Sequence, residues 1–563
     1  MSIKNYLLVW NKFPRLSLFC LTVPLLFLNS QQDSLIAYDE GYYANQARWI
    51  WETGDWLTPQ WWGTPIYDRT IGLQWLIALA YHFFGLNEFS ARLPSAIAGI
   101  VSVLLTYEIG LVLFDRQIAW LGALMLMFMG IWISEVHLAH QSALLLAIEL
   151  FGILGLLRIT HTRNIDLASP KAIQWGWGAI AGMSVGLGFI VKGFMIFVPI
   201  VAILPYLILQ QRYRQVIKNP GIYIGFMIGW IPTVAWLGLS YQKYGIMPIR
   251  DLINKVLFLS ETNTFNPSPF YYFWNLPVNI FPWALFSAIG AWIVGKKLLI
   301  GINYSVISLT LGYPIGLFIL LSMFKTRTPY YPTQFLPFMS LLAATAFIKF
   351  TQVSRQTLPR WHRFITWLSY AFSGLGIILV ILGSIVITTP QIGEIIIPIE
   401  AKIYGIPAIV LGCGWATIST LWSRWEPPTT SYWLASWLVP AWFTMASFGL
   451  LGAWTDKNPA TLAAINQPQI QLAIANQPVN LLTDIVEDPK LPQPADQPRI
   501  LDGEQFKTLI FITFYTPHLG KNTASFSQLS KKAYAWTLNI SPQLADRVQI
   551  IGKIDGWKLI QKL

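Results

Sequence analysis

The sequence predicts an all-α polytopic membrane protein that carries a small extracytoplasmic α/β domain at its carboxyl-terminal end. Charged residues make up 11% of the 563 residues and hydrophobic residues 54%, whereas soluble domains of ordinary composition contain about twice that charged share. Apolar runs recur from Leu16 to Trp454, and each approaches the roughly 20 residues that a helix needs to cross a bilayer. From Thr455 onward, Asn, Gln, Pro and Asp become common. We therefore expect a transmembrane domain over residues 1–454 and a soluble domain over residues 455–563.

The amino-terminal end predicts a first helix that is not removed. Lys4, Lys12 and Arg15 precede an apolar stretch that ends near Leu28, which is also the pattern of a signal peptide. The residues that follow, 29–33, contain no small-x-small cleavage site. We therefore expect the helix to be retained, with its amino-terminal end in the cytoplasm.

The charges of the loops predict which segments cross the membrane. The polar segment over about residues 31–70 follows the first helix and is rich in acidic residues, so it is placed outside. The next apolar run, Ile71–Leu86, has only about 16 residues and is short for a crossing. If this run does not cross, the positive-inside rule is obeyed by the following helices. The basic clusters that then lie inside are Arg158–Lys171, Arg212–Lys218, Lys296-Lys297, Lys349–Arg363 and Arg424.

This assignment gives about thirteen crossings in a multi-pass plasma-membrane protein, with the carboxyl-terminal domain outside. The early helices run inward over Pro94–Phe114, outward over Ala119–Ile133 and inward over Ser142–Leu157. Outer turns are expected near Lys192-Gly193, in Tyr241–Phe281, near Lys325–Tyr331 and in Thr389–Lys402. In the carboxyl-terminal domain, the run Leu509–Phe514 predicts a strand.

Composition and motifs exclude several functional classes. The net charge of +12 comes from short loops between apolar runs, so we expect membrane lipids but no nucleic acid among the partners. Cys20 and Cys413 lie inside apolar runs, which supports neither a disulfide framework nor a thiolate metal site. The sequence contains no phosphate-binding loop, no H-E-x-x-H and no C-x-x-C motif. Because no internal repeat of fixed period is visible, inverted-repeat transporters are disfavoured.

The first outer loop brings acidic and basic side chains to one membrane interface. Asp39 and Glu40 follow the first helix, and Arg69 ends the loop. A carboxylate there can orient or deprotonate a hydroxyl, and an arginine can stabilise a departing phosphate. The structural alternative is that the two acidic residues only cap a helix that starts near Tyr42.

Two further outer turns carry cations. Lys192 ends an apolar run and precedes Gly193; ionisable residues at such depth usually serve function, although a lysine can also extend to the lipid head groups. The turn Lys325–Tyr331 places Lys325 and Arg327 outside among tyrosines. An anionic ligand and lipid head groups both explain this exception to the positive-inside rule.

Histidines and aromatic pairs give weaker signals. His137 and His140 near Glu135 could imitate a metal site, but a structural pair is the better interpretation, so we expect no metal. Aromatic runs such as Trp61-Trp62 are typical of interfacial anchors, and aromatic faces also bind sugars and polyprenyl chains.

Several separated segments resemble the membrane glycosyltransferases of the GT-C fold. The resemblance is to the protein O-mannosyltransferases and to the bacterial transferases that move aminoarabinose onto lipid A, and it covers about residues 35–345. The segments that carry it are Asp39–Ala44, Glu52–Pro59, Asn87–Ser95, Lys192-Gly193, Pro269–Tyr272 with Phe281–Trp283, and Lys325–Tyr331.

The resemblance implies a sugar donor on a polyprenyl or dolichyl-type phosphate and gives the catalytic role to Asp39. It places Glu40, Tyr43, Arg69, Gln141, Lys192, Lys325, Arg327, Tyr330 and Tyr331 at the substrates. Two positions depart from the family pattern. Arg69 stands where a lysine before two prolines is usual, and Gln141 stands where an aspartate is typical.

The sequence therefore predicts a glycosyltransferase that moves a sugar from a polyprenyl phosphate to a lipid, glycan or protein acceptor on the extracytoplasmic face. No nucleotide or other cofactor is needed, because the lipid phosphate activates the sugar. The rival hypotheses are a transporter or flippase of lipid-linked glycans and a non-catalytic binder of them. The neutral Gln141 keeps the second rival open, and replacement of Asp39 distinguishes an enzyme from both.

Overall fold

The structure is a computed structural model, and it describes most of the chain. The described residues are 12–30, 34–36, 39–160, 171–209, 211–261, 268–298, 304–353, 358–392, 395–396, 399–423, 429–452, 459–482, 503–523, 526–538, 540 and 542–563. The predicted domain boundary at residues 454–455 and the predicted basic residue Arg424 lie outside them.

Helices dominate up to residue 452, as the sequence predicts. The first nine are α1 (Pro14–Phe27), α2 (Asp39–Thr53), α3 (Gly72–Phe84), α4 (Glu88–Leu113), α5 (Arg116–Leu126), α6 (Gly130–His137), α7 (Gln141–Thr160), α8 (Lys171–Lys192) and α9 (Phe197–Leu209). The next seven are α10 (Tyr213–Ile217), α11 (Pro220–Tyr244), α12 (Met247–Glu261), α13 (Tyr271–Asn279), α14 (Trp283–Leu298), α15 (Tyr304–Ile307) and α16 (Tyr313–Met323). The last five are α17 (Leu336–Phe350), α18 (Pro359–Thr388), α19 (Gly405–Ala416), α20 (Ile418–Ser423) and α21 (Thr429–Leu451).

The described helices make this a multi-pass membrane protein. Eight helical segments are long and apolar enough to cross a bilayer, or up to ten if each of two bent pairs counts as one crossing. One bent pair is α5 with α6, and the other is α13 with α14. Three shorter apolar helical segments, among them α1 and α3, fall below that length. The total of about thirteen crossings stays a prediction.

The chain reverses direction at Lys192-Gly193, as the sequence predicts. Two contacts tie α8 and α9 to the last turn of α7: the Arg158 guanidinium lies 5.7 Å from the Trp177 ring, and the hydroxyls of Thr160 and Tyr206 are 2.8 Å apart. A straight helix would separate Trp177 from Tyr206 by more than about 40 Å. The two helices therefore form a hairpin, and the backbone of Gly193 has the positive φ of 57° that glycine adopts without steric cost.

The short helix α3 places the end of the first outer loop beside this hairpin turn. It has 13 residues, or about 20 Å of helix, which is less than the roughly 30 Å hydrocarbon core. Its first residue, Gly72, packs so closely that a Cβ there would lie 2.7 Å from the carbonyl oxygen of Ile190. Only glycine fits this contact, which brings the Arg69–Thr70 segment next to the end of α8.

Two short antiparallel strand pairs precede the carboxyl-terminal domain: β1 (Gln60–Trp61) with β2 (Thr64–Pro65), and β3 (Gln391–Ile392) with β4 (Ile395–Ile396). The domain itself contains a five-stranded mixed sheet in the order β6-β5-β7-β9-β8. Its strands are β5 (Val479–Leu482), β6 (Leu519–Thr523), β7 (Tyr534–Thr537), β8 (Val548–Ile554) and β9 (Trp557–Lys562), and its helices are α22 (Pro459–Ile465), α23 (Pro468–Ile474) and α24 (Gly503–Tyr515). Strand β5 pairs in parallel with β6 and β7, whereas β9 runs antiparallel to both β7 and β8. The predicted α/β domain is therefore present.

The predicted strand over Leu509–Phe514 is wrong, because these residues lie in the second half of α24. The helix is enclosed by the sheet on one side and by the first outer loop on the other, so Leu509, Ile510, Phe511 and Ile512 are all buried. A helix that is apolar on every side has no helical periodicity, and a short apolar run then looks the same as a buried strand.

The first outer loop and the carboxyl-terminal domain pack into one layer. Helix α2 lies along α24, where the amide of Asn45 donates to the carbonyl of Ile510 at 3.0 Å. The fully buried guanidinium of Arg48 donates to the carbonyls of Thr513, Phe514 and Pro517 at 2.8, 3.2 and 2.7 Å. The carbonyls of Thr513 and Phe514 lie in the last turn of α24, where backbone acceptors lack a partner within the helix, and Pro517 lies just beyond it. The domain therefore holds α2, whose first residue is Asp39.

Candidate active site

Asp39 lies at the start of α2, with its carboxylate between the side chains of Arg69 and His140. Its Oδ1 is 2.9 Å from Nη1 of Arg69, and its Oδ2 is 3.6 Å from Nε2 of His140. The side chain is still 42% exposed. An acidic residue in the first turn also suits the positive end of a helix. The carboxylate is thus fixed in place and accessible to a substrate.

Arg69 is held as a planar cation between aromatic rings. Its guanidinium lies 4.6 Å from the Tyr42 ring centre and 4.8 Å from that of Tyr43, and its Nε is 3.1 Å from Asp68 Oδ2. Stacking and ion pairing fix the orientation of the guanidinium before any ligand arrives. The structure thus places Tyr43 and Arg69 together with Asp39, although no Pro-Pro turn follows Arg69.

Lys192 points toward the same cluster. Its ammonium donates to the hydroxyl of Ser142 at 2.7 Å and lies 5.1 and 5.7 Å from the ring centres of Tyr330 and Tyr331. Tyr330 in turn meets His140 edge-on, with ring centres 4.7 Å apart. The turn of the α8–α9 hairpin therefore meets the turn before α17 beside the first outer loop.

Glu40 has partners that differ from those that the sequence predicts. Its carboxylate is buried and pairs with Arg92, with Oε1–Nε and Oε2–Nη2 distances of 2.7 and 3.1 Å. It also accepts from the backbone N–H groups of Ile36 and Ala139 at 2.6 and 3.1 Å. These contacts indicate that Glu40 positions the first outer loop, and its assignment to substrate binding stays a prediction.

The two cations of the turn before α17 differ in their surroundings. Arg327 is buried, and its guanidinium donates to the carbonyl of Ser322 at 2.8 and 3.2 Å, near the end of α16. A cation at this place stabilises the helix end. The Lys325 side chain is exposed and forms no ion pair among the described residues. These contacts give Arg327 a structural role, and substrate binding by either residue stays a prediction.

Gln141 holds the backbone and carries no charge. Its buried amide donates to the carbonyl of Thr70 at 3.3 Å, so it supports the segment that follows Arg69. The preceding residue, His140, contacts both Asp39 and Glu135. Sequence reasoning treated this histidine as part of a structural pair. Its place directly before Gln141, between α6 and α7, is the sequence signal that points to it.

The electrostatics follow from these contacts. Burial alone would raise the pKa of Asp39, but hydrogen bonding to His140 and the charge of Arg69 hold it well below its usual range. Burial alone would lower the pKa of His140, but Glu135 and Asp39 together raise it. At neutral pH Asp39 is therefore a carboxylate that a nearby cation stabilises.

Lys255 is a further cation that sequence reasoning missed. It lies on α12, and its charge interacts with those of Asp68, Arg69 and Asp39. Burial lowers its pKa, and Asp68 opposes that shift. Helix α12 follows α11, whose last turn is anchored to the first outer loop because Lys243 forms a 2.8 Å ion pair with Asp55.

Within the described part of the chain, no group of three or more His, Cys, Asp or Glu residues could hold a metal ion.

Known proteins share both sequence and fold with this chain. Residues 68–238 match the family described as dolichyl-phosphate-mannose-protein mannosyltransferase. The crystal structure of ArnT from Cupriavidus metallidurans bound to undecaprenyl phosphate superposes with a TM-score of 0.71 at 18% identity and covers 97% of each chain. The chain has the GT-C fold. The apo form of the same ArnT covers 100% of this chain and 99% of that chain, with a TM-score of 0.70 and 18% identity.

Sequence relatives of this GT-C protein match in part of their length. The undecaprenyl phosphate-α-4-amino-4-deoxy-L-arabinose arabinosyl transferase of Pseudomonas aeruginosa is 29% identical over 181 residues, which is 32% of each protein. The enzyme of the same name from Pectobacterium carotovorum is 26% identical over 255 residues, or 44% of this chain and 43% of the relative. The matched part thus spans less than half of these relatives. The chain resembles the ArnT and protein mannosyltransferase family, as the sequence motifs predict.

Proposed function

We propose that this protein is a glycosyltransferase that moves a sugar from a polyprenyl-phosphate carrier to an acceptor on the extracytoplasmic face. The observation that supports it most strongly is the accessible carboxylate of Asp39, fixed between Arg69 and His140 at one end of a membrane helix bundle. Such a site can bind an acceptor hydroxyl and a lipid phosphate at once. The acceptor is a lipid, glycan or protein hydroxyl group.

The cations around Asp39 suit a phosphate leaving group. Arg69 offers a planar set of donors, and Lys192 and Lys255 add point charges from two other elements. As the bond between the anomeric carbon and the carrier phosphate breaks, the electron pair stays on the phosphate oxygen. The developing negative charge then lies among these cations, which lowers the barrier.

Asp39 would act on the acceptor. It accepts the hydrogen bond of the acceptor hydroxyl, aligns its oxygen with the anomeric carbon, and takes the proton as the new glycosidic bond forms. A single displacement of this kind inverts the configuration at the anomeric carbon. The sugar is activated by its phosphate, so the step requires no nucleotide.

The known relatives support the choice of donor. The curated relatives are transferases of 4-amino-4-deoxy-L-arabinose that use undecaprenyl phosphate as carrier, and the similar ArnT structure holds undecaprenyl phosphate. We infer the same class of donor here, a pentose or hexose on a long polyprenyl phosphate. Tyr43, Tyr330 and Tyr331 give the site aromatic faces, which bind sugar rings well.

The charges of the helix ends support a plasma-membrane orientation with the site outside. Arg15 and Arg158 both pair with Glu108, and Arg212 donates to the carbonyl of Thr160. These residues gather at the bundle face opposite Asp39, because α4, α7 and α8 each run from one face to the other. The positive-inside rule places that face in the cytoplasm and the carboxyl-terminal domain outside.

Transfer from a radiolabelled polyprenyl-phosphate sugar tests the proposal. Membranes that contain the wild-type chain should label an acceptor, membranes with Asp39→Asn should not, and the exposed control Asp546→Asn should match the wild type. If the wild type and both variants bind the carrier but none of them transfers sugar, across several sugars and acceptors, a flippase or a non-catalytic binder is favoured instead.

A further inference from the structure

His140 lies between two carboxylates in the candidate site. Its Nδ1 is 2.6 Å from Glu135 Oε2, and its Nε2 is 3.6 Å from Asp39 Oδ2. The backbone N–H of His140 donates to the hydroxyl of Ser95 at 3.2 Å, and the ring meets Tyr330 edge-on. The imidazole is therefore buried and fixed in orientation.

This geometry favours the doubly protonated ring. A neutral imidazole has one N–H, so one of its nitrogens would turn a lone pair toward a carboxylate. Protonation of both nitrogens replaces that repulsion with a second attraction. Among the residues that the structure describes, the other ionisable groups that face the ring are Lys192, which opposes protonation, and the neutral hydroxyls of Tyr43 and Tyr330. Burial and Lys192 lower the pKa of His140, but Glu135 and Asp39 together outweigh them, so the pKa is raised.

We propose that His140, held by Glu135, is a positioning residue that acts as an imidazolium to orient the Asp39 carboxylate. This inference rests on the proposed transferase function. Arg69 holds Oδ1 and His140 faces Oδ2, so the carboxylate is fixed at both oxygens. Gln141, where the resembling family typically carries an aspartate, contributes a neutral amide that binds backbone. The Glu135–His140 pair thus adds a charged element where α6 meets α7.

The proposal has a defined pH dependence. A group with a raised pKa carries its proton below that pKa and loses it as the pH rises through it. Turnover should therefore decline on the alkaline side as His140 becomes neutral. Glu135→Gln keeps a hydrogen-bond acceptor but removes the negative charge, so the decline should shift to lower pH. In His140→Gln the decline should be absent.

The test is a pH profile of kcat and KM for wild type, His140→Gln, Glu135→Gln and His82→Gln in full-length membranes. His82 is an exposed histidine on α3 and serves as the matched control. We expect His140→Gln to lower kcat by about 10- to 100-fold at neutral pH, as misplacement of a reacting group does, with KM for the donor unchanged. Glu135→Gln covers the case in which His140→Gln fails to fold, since it retains the histidine.

The outcomes separate this proposal from the proposed function. If the wild type transfers sugar and both site variants keep the wild-type alkaline decline, His140 does not position Asp39. If Glu135→Gln moves the decline and His82→Gln does not, the proposal holds. Absence of transfer by the wild type with every donor would refute the transferase itself, and with it this inference.

Discussion

At the scale of single residues, the site combines side chains from five separate segments of the chain. Asp39, Arg69, His140, Lys192 and Tyr330 all lie within one network of ion pairs and ring contacts. The sequence motifs predicted four of these five residues, since charges at outer turns of a membrane protein usually serve function. His140 was not predicted, because its role depends on a carboxylate about a hundred positions away in the sequence.

Two residues that the sequence predicts at the substrates have partners within the chain. Glu40 pairs with Arg92, and Arg327 binds the carbonyl of Ser322. Glu40 and Arg327 lie in the loop and the turn that the sequence predicts. A pattern of residue types does not show, however, which of these side chains face the interior of the protein. Burial separates Asp39, which is 42% exposed, from Glu40, whose side chain is 1% exposed.

Glu40→Gln should lower stability more than it changes substrate affinity. The change leaves the buried guanidinium of Arg92 without its charged partner, which typically costs about 3–5 kcal/mol. We expect a lower unfolding temperature in detergent and a lower kcat, with little change in KM for the donor. Asp546→Asn, at an exposed carboxylate of the carboxyl-terminal domain, is the control. A raised KM at unchanged stability would instead support direct substrate contact by Glu40.

At the scale of elements, helix α2 is held by the carboxyl-terminal domain. Its Asn45 and Arg48 bind carbonyls of α24 and of the residues just beyond it, and its first residue is Asp39. Helix α24 is itself the element that the sequence predicts wrongly. The docking of α2 and the wrong prediction have one cause: the segment 509–512 of α24 is buried between α2 and the sheet, so this part of the helix is apolar on every side.

Arg48→Met should disturb the site from a distance. The variant keeps much of the side-chain volume but leaves the carbonyls of Thr513, Phe514 and Pro517 without their donor, and unpaired buried groups cost about 1–3 kcal/mol each. We expect a lower unfolding temperature and reduced transfer activity. Arg547→Met, at an exposed arginine of the same domain, should leave both unchanged. Full activity in Arg48→Met would show that α24 does not hold the catalytic helix.

At the scale of the whole molecule, the helix bundle separates two faces of opposite character. One face gathers Arg15, Arg158 and Arg212, and the other carries the first outer loop, the hairpin turn at Lys192 and the carboxyl-terminal domain. Hydropathy and loop charge predicted this arrangement well, because both are local properties of the sequence. The docking of the carboxyl-terminal domain on α2 joins residues more than 450 positions apart, and no local pattern encodes it.

Cysteine labelling tests the orientation of the two faces. In a chain with Cys20 and Cys413 replaced by alanine, a cysteine at Lys521 in β6 should react with an impermeant maleimide in intact cells. A cysteine at the exposed Lys218, after α10, should react only when the cells are permeabilised. Labelling of the Lys218→Cys chain in intact cells, with protection of Lys521→Cys, would place the site in the cytoplasm.

The most direct test of the role of Asp39 is single-turnover sugar transfer by the purified protein. Carrier binding is measured in the same samples. Asp39→Asn should slow transfer of the sugar by about 10²- to 10⁴-fold, as expected for loss of a group that aligns and deprotonates the acceptor. Its affinity for the polyprenyl phosphate should stay within a few-fold of the wild type, since Arg69, Lys192 and Lys255 remain. A wild-type rate of transfer in Asp39→Asn would contradict the proposed mechanism.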